Sequence, residues 1–137
     1  IEGGELEGGV FDLNAIPDAL PALAVAGCFA RGETRLVNVP QARLKETDRI
    51  AVMRSELSKM GADIEERPDG LVIRQSSLAG AAVRGHADHR VVMALSVAAL
   101  AARGETTIDT AESVAVTFPA FRELMLSLGA DIELMED

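Results

Sequence analysis

The sequence has little of what several classes of protein require. One cysteine and two histidines exclude an intrachain disulfide and disfavour a structural zinc site. No run of eighteen residues is both apolar and uncharged, so no membrane-spanning helix is predicted. Lysine and arginine number 13 against 22 acidic residues and never cluster beyond two, which disfavours a nucleic-acid partner. Cys28 lies in an apolar run and is predicted to be a small core residue, and its lack of a disulfide partner fits a reducing cytoplasm.

The N-terminal segment, IEGGELEGGVFDLN, is acidic and glycine-rich and has neither the basic nor the apolar region of a signal peptide. Its polar start without methionine predicts a segment of a longer protein. The chain of 137 residues is 48% hydrophobic, so we expect one ordered domain with a core of its own.

Two short sequences occur twice along the chain. RGET stands at 31–34 and again at 103–106, and GADIE stands at 61–65 and again at 129–133. The copies lie 72 and 68 residues apart, so the two halves differ by a few residues in their loops. Repetition on this scale indicates a duplicated unit of secondary structure.

Each repeat predicts an apolar helix followed by a strand. The helices ALPALAVAGCFA (19–30) and VVMALSVAALAA (91–102) are apolar on nearly every face, so both are predicted to be buried. Each ends at Arg-Gly, which we interpret as a last-turn cation and a glycine that closes the helix. Strands are predicted next, at 34–39 and at 106–109.

An amphipathic helix and a second strand complete each repeat. Apolar residues at helical spacing predict helices over 50–60 and 121–128, closed by Gly61 and Gly129. The remaining predicted strands are 63–65, which turns at Pro68-Asp69-Gly70 into a hairpin strand over 71–74, a short strand near 81–83, and 131–133. Together these elements predict an α+β or mixed α/β fold, one domain built from two similar units.

Three polar clusters stand at the front ends of the predicted helices: Ile16-Pro17-Asp18, Lys45-Glu46-Thr47-Asp48-Arg49 and Asp88-His89-Arg90. The simplest interpretation is helix capping, by Thr47 or by the aspartate of each cluster. If the clusters converge, Asp18, Glu46 and His89 could also supply acid–base catalysis, with Lys45 binding an anion. Each of these residues taken singly is more often a surface or capping residue.

The two arginines that follow these caps need a further explanation, because a cation in the first turn opposes the helix dipole. Arg49 and Arg90 could form an anion cradle with the helix N-termini, which would suit a compound carrying carboxylate and phosphate. Alternatively, Arg49 pairs with Asp48 and Arg90 with Asp88. Residue types alone weigh the two interpretations equally.

Four stretches in this order and at about this spacing give the sequence a specific resemblance. They are DLNAIPDA (12–19), RLKETDRI (43–50), DHR (88–90) and TFP (117–119). The chain resembles the 5-enolpyruvylshikimate-3-phosphate synthases over essentially its whole length. The related enolpyruvyl transferases that act on UDP-N-acetylglucosamine share the fold but lack the KETDR and DHR signatures, and they are the weaker alternative.

The resemblance implies a fold and a reaction. The family has two domains of the inverse-barrel type, each with three βαβαββ units. Residues 1–137 would form part of the C-terminal domain, as units of about 1–70 and 71–137. The implied reaction transfers the enolpyruvyl group of phosphoenolpyruvate to shikimate 3-phosphate, in aromatic amino acid biosynthesis, with neither metal nor organic cofactor. The implied partners are the two substrates and the missing remainder of the chain, without which it should be inactive.

The resemblance also implies roles for individual residues. Asp18 matches a carboxylate that contacts shikimate hydroxyls and acts as the base, and Lys45 matches a lysine between the two ligands. Glu46 matches the proton donor or acceptor at the methylene, and His89 matches a histidine at the rim. Gln41 stands where the family often has an asparagine that binds shikimate 3-phosphate.

The resemblance also implies that Arg49 and Arg90 bind phosphoenolpyruvate. With Lys45 and Asp18 they should converge on one open face, where an anion, or the carboxylates of Asp18, Glu46, Asp48 and Asp88, would offset the positive charges. Val116 departs from the family pattern, because many synthases have a lysine there. A stand-alone module that binds a small anion or a protein without catalysis is the alternative from another functional class.

Overall fold

The computed structural model describes residues 3–136, and it contains six strands and four α-helices. In chain order these are β1 (Glu7–Asp12), α1 (Leu20–Phe29), β2 (Arg31–Val37), α2 (Arg49–Lys59), β3 (Asp63–Arg67), β4 (Gly70–Arg74), β5 (Ala82–Val83), α3 (His89–Ala101), β6 (Thr107–Ile108) and α4 (Phe121–Ser127). Single 3-10 segments cover Pro17–Ala19, Pro40–Leu44 and Ala111–Val116. Within residues 3–136, no helix is long and apolar enough to cross a membrane.

The strands form one mixed sheet and one separate pair. The sheet has the order β1-β2-β4-β3, in which β1 and β2 are parallel and the other neighbours are antiparallel. The predicted hairpin between β3 and β4 is confirmed, with Arg67 paired to Gly70 across its tight turn. Strands β5 and β6 form a second parallel pair, which confirms the short strand predicted near 81–83.

The two parallel pairs repeat each other residue for residue. Every pairing between β5 and β6 has its counterpart between β1 and β2, 72 positions earlier, and a preceding bridge obeys the same rule. The pairs are Glu7 with Arg31 and Val10 with Arg35 in the first half, and Ala79 with Arg103 and Ala82 with Thr107 in the second. The sequence repeat therefore corresponds to a repeated backbone geometry, while the division into units 1–70 and 71–137 stays a prediction.

Helices α1 and α2 pack over the sheet, α3 packs against both of them, and together they form the core. Helix α1 approaches the sheet so closely that a Cβ on Gly27 would lie 3.2 Å from side-chain atoms of Ile73 and Thr34. Cys28 on the same helix is fully buried as predicted, and burial raises the pKa of its thiol to about 12. The core side chains include Leu20, Ala24, Leu36, Ile50, Met53, Leu57, Ile73, Val91 and Leu95. Burying each large one stabilises the fold by about 1.5–3 kcal/mol.

The burial predicted for the two apolar helices is right for α1 and half right for α3. Helix α3 buries the face that carries Val91, Leu95 and Ala98. Its opposite face is open, with Val97 45% and Leu100 41% exposed. The uniform hydrophobicity of α3 therefore does not correspond to burial on every side within the described part of the chain.

The predicted helix ends at Arg-Gly were wrong. Helix α1 ends at Phe29, and neither α1 nor α3 has a basic residue in its last turn. Instead, Arg31 is the first residue of β2, and Arg103 forms a single bridge with Ala79. The backbone N–H of Arg31 donates to the Leu6 carbonyl at 2.9 Å, and that of Arg103 donates to the Leu78 carbonyl at 3.1 Å.

The glycines that follow the amphipathic helices behave as predicted, but the strand predicted at 131–133 does not form. Gly61 and Gly129 have φ values of 98° and 96°, the left-handed conformation that closes a helix. After Gly61 the chain enters β3, which is held by its hairpin partner β4. Residues 130–136 have no regular structure, because no strand equivalent to β4 accompanies them among the described residues.

Candidate active site

The front ends of α1, α2 and α3 meet around one buried guanidinium. The side chain of Arg49 is 1% exposed and donates to three carboxylates. Its Nε and Nη2 atoms grip Asp88 in a two-pronged contact of 2.9 and 3.1 Å. Its Nη1 atom donates to Asp18 Oδ1 at 3.0 Å, and Nη2 also donates to Glu46. Arg49 thus joins the three polar clusters that the sequence places at three helix starts.

Asp88 is the buried counter-ion of Arg49. Its side chain is fully buried, accepts from Thr47 Oγ1 at 2.9 Å, and caps α3 by accepting from the Arg90 N–H at 3.0 Å. Burial alone would raise the pKa of Asp88, but the hydrogen bonds from Arg49 and Thr47 and the charge of Arg49 outweigh burial and lower it. Asp88 is therefore ionised at neutral pH although its side chain is fully buried.

Asp18 lies at the open edge of the same cluster. Its side chain is 49% exposed, and besides Arg49 it faces Lys45 Nζ at 3.5 Å and Arg90 Nη2 at 3.8 Å. Burial opposes its ionisation, but the charges of Lys45, Arg90 and Arg49 together hold the pKa of Asp18 below its usual value. Asp18 is thus a half-exposed carboxylate that faces three cations.

Glu46 and His89 complete the cluster. The Glu46 side chain is half exposed, and its Oε2 atom lies 3.9 Å from His89 Nδ1. Single atoms of Glu46, Asp88 and His89 lie within 4.8 Å of one another, a spacing that a metal ion could bridge. Arg49 already occupies oxygens of both carboxylates, and its charge would repel a divalent cation. The donor set therefore fits a guanidinium and does not fit a metal.

The predicted site residues are thus brought together with one exception. Asp18, Lys45, Glu46, Arg49, His89 and Arg90 form one ion cluster, although Arg49 lies beneath the open face on which it was expected. Gln41 lies to the side, where its Nε2 atom donates to the Asn14 carbonyl at 2.9 Å. Val116 is 75% exposed at the end of the 3-10 segment Ala111–Val116.

The pairing that the sequence suggested between neighbours was wrong. Asp48 caps α2 as predicted, by accepting from the Ala51 N–H at 3.1 Å, but its ion pair is with Arg43 at 2.9 Å. Asp18 was also predicted to be a cap, yet neither helix start beside it has a side-chain cap bond. Its carboxylate accepts from Arg49 instead. The carboxylates that offset the cations of the cluster are therefore Asp18, Glu46 and Asp88, and Asp48 is not among them.

Two members of the cluster have roles that the sequence did not predict. Thr47 was predicted only as a possible cap, whereas its Oγ1 atom donates to Asp88. Asp88 was predicted as a cap, as a partner of Arg90 or as one of four carboxylates near the cations, whereas its carboxylate binds the Arg49 guanidinium. The helix that follows gave no signal for this role, because Asp18 stands before a similarly apolar helix and its side chain is 49% exposed.

We expect the lowered pKa values to make the fold sensitive to acid. In the folded state Asp88 has a pKa below its ordinary value of 3.8, so its stabilising contribution is present above that value. The contribution is lost as the pH falls through the folded pKa. Urea unfolding at about pH 7 and about pH 3 measures how much the free energy of unfolding falls on acidification, and this fall should be smaller for Asp88→Asn than for the unmodified chain. Asp63→Asn, at an exposed position, should show the same fall as the unmodified chain. An equal fall in all three proteins would contradict the prediction.

Known proteins resemble this chain in sequence and in fold. The sequence pattern of the family described as EPSP synthase (3-phosphoshikimate 1-carboxyvinyltransferase) matches residues 1–125. The 3-phosphoshikimate 1-carboxyvinyltransferase of Ruminiclostridium cellulolyticum is 67% identical over 135 residues, which cover 98% of this chain and 32% of the relative. That of Methanocaldococcus jannaschii is 51% identical, with 98% of this chain and 32% of the relative covered.

Solved structures give the same answer for the fold. An EPSP synthase from Acinetobacter baumannii superposes with a TM-score of 0.90 at 36% identity, over 96% of this chain and 32% of that one. The enolpyruvyl transferase NikO from Streptomyces tendae, at 24% identity and a TM-score of 0.75, covers 96% of this chain and 30% of its own and supports the fold alone.

The mixed α/β architecture is therefore that of the enolpyruvyl transferases, and the chain belongs to the EPSP synthase family. It spans about a third of the length of the relatives that it matches.

Proposed function

We propose that this chain supplies part of the active site of a transferase that moves the enolpyruvyl group of phosphoenolpyruvate to the 5-hydroxyl of shikimate 3-phosphate. The observation that supports this is the arrangement around Asp18. Two partly exposed cations, Lys45 and Arg90, lie beside a half-exposed carboxylate that a buried third cation supports from below. Such a surface can bind anionic substrates and can also accept a proton.

The proposed reaction needs one group that accepts the proton of the 5-hydroxyl, and a second group that gives a proton to C3 of phosphoenolpyruvate and later takes one back. The 5-hydroxyl oxygen bonds to C2 of phosphoenolpyruvate and loses its proton, while C3 gains a proton. The tetrahedral intermediate then expels phosphate, and C3 returns a proton as the double bond forms again. In our assignment Asp18 accepts the hydroxyl proton, and Glu46 gives and takes the proton at C3. His89 lies beside Glu46, 3.9 Å from its carboxylate, at the rim of the site.

The electrostatics around Asp18 suggest how substrates would activate it. With its three cationic neighbours the carboxylate has a lowered pKa and is a weak base. Anionic substrates would draw Lys45 and Arg90 toward their own phosphate and carboxylate groups. The cations would then stabilise the Asp18 carboxylate less, its pKa would rise, and its affinity for the hydroxyl proton would increase only when both substrates are bound.

The three cations are not equally available to a ligand. The side chain of Arg90 is 42% exposed and that of Lys45 is 29% exposed, so both can contact an anion directly. Arg49 has five N–H donors, and the carboxylates occupy four of them. We therefore assign direct phosphoenolpyruvate binding to Arg90 first, with Arg49 contributing its charge and one remaining Nη1 donor. Lys45 would lie between the two ligands.

Other parts of the proposal follow from the family. Gln41 would bind shikimate 3-phosphate from the side of the cluster, with its free carbonyl oxygen as the acceptor. The remaining ligand contacts would come from the remainder of the protein, since this chain spans about a third of its relatives. We place the protein in the cytoplasm, where its buried, unpaired Cys28 would remain reduced.

A graft tests the proposal. We expect the chain, exchanged for the homologous third of the Ruminiclostridium cellulolyticum enzyme, to sustain phosphate release from phosphoenolpyruvate and shikimate 3-phosphate. Since the two sequences are 67% identical, a rate within about tenfold of that of the recipient is expected. The chain alone should show no turnover. A matched graft carrying Lys45→Ala should lose most of the activity, because the cation between the ligands is gone.

Two results would count against the proposal. A graft that folds and yet releases no phosphate would show that these residues do not form the required half of a site. If the isolated chain binds inorganic phosphate tightly while the graft is inactive, the non-catalytic anion-binding module becomes the better account.

A further inference from the structure

A second buried carboxylate lies on α2, outside the ion cluster. The side chain of Glu56 is 2% exposed and stands seven positions after Arg49, so it lies further along nearly the same side of the helix. Its Oε1 atom accepts from the backbone N–H of Arg84 at 2.9 Å and from Lys59 Nζ at 2.7 Å. Its Oε2 atom lies 2.9 Å from His86 Nε2. No role assigned so far uses this residue.

The segment that Glu56 holds has an unusual backbone. His86 and Ala87 are consecutive non-glycine residues with φ values of 57° and 54°. Residues other than glycine rarely adopt this left-handed backbone conformation unless their surroundings enforce it. Glu56 contacts the loop from one side, and on the other side Thr110 Oγ1 accepts from the Ala87 N–H at 2.9 Å. The loop 84–87 is therefore held between Glu56 on α2 and the segment that follows β6.

This loop leads directly into the site. Asp88 follows it, and the Asp88 N–H donates to the Gly85 carbonyl at 3.1 Å. Asp88 in turn holds Arg49 and caps the start of α3 at Arg90. Helix α2 thus contacts the segment 84–90 twice, through Arg49 at its first residue and through Glu56 two turns later. Two separated contacts restrict the orientation of this segment more than either contact alone would.

The charge of Glu56 is well compensated, as a fixed anchor requires. Burial opposes its ionisation, but the hydrogen bonds from His86, Lys59 and the Arg84 backbone outweigh burial and lower the pKa of Glu56. The Arg84 side chain does not take part, since it is 71% exposed and faces Asp109 at 3.7 Å. Glu56 therefore accepts through both oxygens and presents a permanent acceptor to the loop.

We infer that Glu56 is a positioning residue of the site: by fixing the loop 84–87 it sets where Asp88 places Arg49 and where α3 presents His89 and Arg90. What the positioned residues do rests on the proposed function. The positioning itself rests only on the contacts of Glu56 and the left-handed loop.

Amide hydrogen exchange on the 137-residue chain, followed by NMR, tests the inference. In Glu56→Asp the carboxylate keeps its charge but withdraws by one methylene, so it cannot reach the Arg84 N–H and His86 together. We expect the amides of Arg84 and Arg90 to exchange about 10- to 100-fold faster, because the Arg84 N–H loses its buried acceptor and the Arg90 N–H loses its aligned contact with Asp88. Ala51, capped by Asp48 at the other helix start, serves as the internal reference and should change by less than about threefold.

Companion variants separate geometry from charge. Glu56→Gln keeps the length and an acceptor oxygen, so it should restore most of the protection at Arg84 and Arg90 although the charge is lost. Lys59→Ala removes one exposed partner of Glu56 and should leave both amides unchanged. If the exchange rates of the Arg90 and Ala51 amides rose by the same factor in every variant, the whole fold would have become less stable, and this result would overturn the inference. Equal behaviour of the Asp and Gln variants would overturn it as well.

Titration with inorganic phosphate distinguishes this inference from the proposed function. If the chain binds phosphate, Glu56→Asp should weaken its affinity several-fold, because Arg90 is displaced, while Lys59→Ala should not. If the unmodified chain binds no phosphate, the proposed anion site loses support, and the exchange pattern still decides whether Glu56 positions the loop.

Discussion

Replacing Arg49 with methionine is expected to lower the free energy of unfolding by about 3–5 kcal/mol. The substitution conserves most of the side-chain volume but removes the only cation that touches Asp88 in the part of the chain that the structure describes. Asp88 would stay buried with Thr47 and a backbone N–H as its remaining donors. Leaving a charge buried without its partner costs far more than an exposed ion pair contributes.

Two further variants make this prediction specific. Arg54→Met changes an exposed arginine on the same helix and should shift the unfolding free energy by less than about 0.5 kcal/mol. Adding Asp88→Asn to Arg49→Met removes the stranded charge and should recover part of the loss. Urea unfolding of the four proteins measures all three effects. A loss of less than about 1 kcal/mol for Arg49→Met would show that Asp88 is not the buried charge described here.

The elements that the sequence predicted well are those whose signal is local. The period of the apolar residues located α2 and α4, and the Pro-Asp-Gly turn located the hairpin of β3 and β4. The failures involve partners distant in sequence. Arg31 begins β2 and does not end helix α1, because it pairs with Glu7 of β1 and its N–H donates to the Leu6 carbonyl. Residues 131–133 lack the partner that β4 provides for β3. No pattern within either segment contains that information.

The site divides along the same line. The family resemblance indicated which residues should converge, and the structure brings Asp18, Lys45, Glu46 and Arg90 together around Arg49. Which charge pairs with which depends on the relative placement of three helices. Arg49 therefore forms its buried ion pair with Asp88, 39 positions away, whereas its neighbour Asp48 pairs with Arg43. The role of Glu56 could not be predicted from the sequence for the same reason, since it depends on a loop 28 positions further along the chain.

The largest kinetic effect is expected from Asp18→Asn in the grafted enzyme, where kcat should fall by about 10²- to 10⁴-fold, the range typical of a lost general base. Asparagine has the same shape, and its carbonyl oxygen can still accept from Arg49 Nη1, so the helix starts should remain in place. It cannot take the hydroxyl proton. The substitution also removes a negative charge that now faces Lys45, Arg90 and Arg49.

The two substrates should respond to that change in a way that a structural role would not produce. With Asp18 neutralised, Lys45 and Arg90 have no competing carboxylate at 3.5 and 3.8 Å, so anions should bind equally well or more tightly. We therefore expect KM for phosphoenolpyruvate to stay constant or fall while kcat collapses, a pattern that steady-state kinetics resolves. Asp63→Asn on the exposed hairpin strand β3 is the matched control and should leave both constants unchanged. If Asp18→Asn instead raised KM and preserved kcat, Asp18 would be only a charge partner for the arginines, and the proton would have to leave the hydroxyl by way of another group.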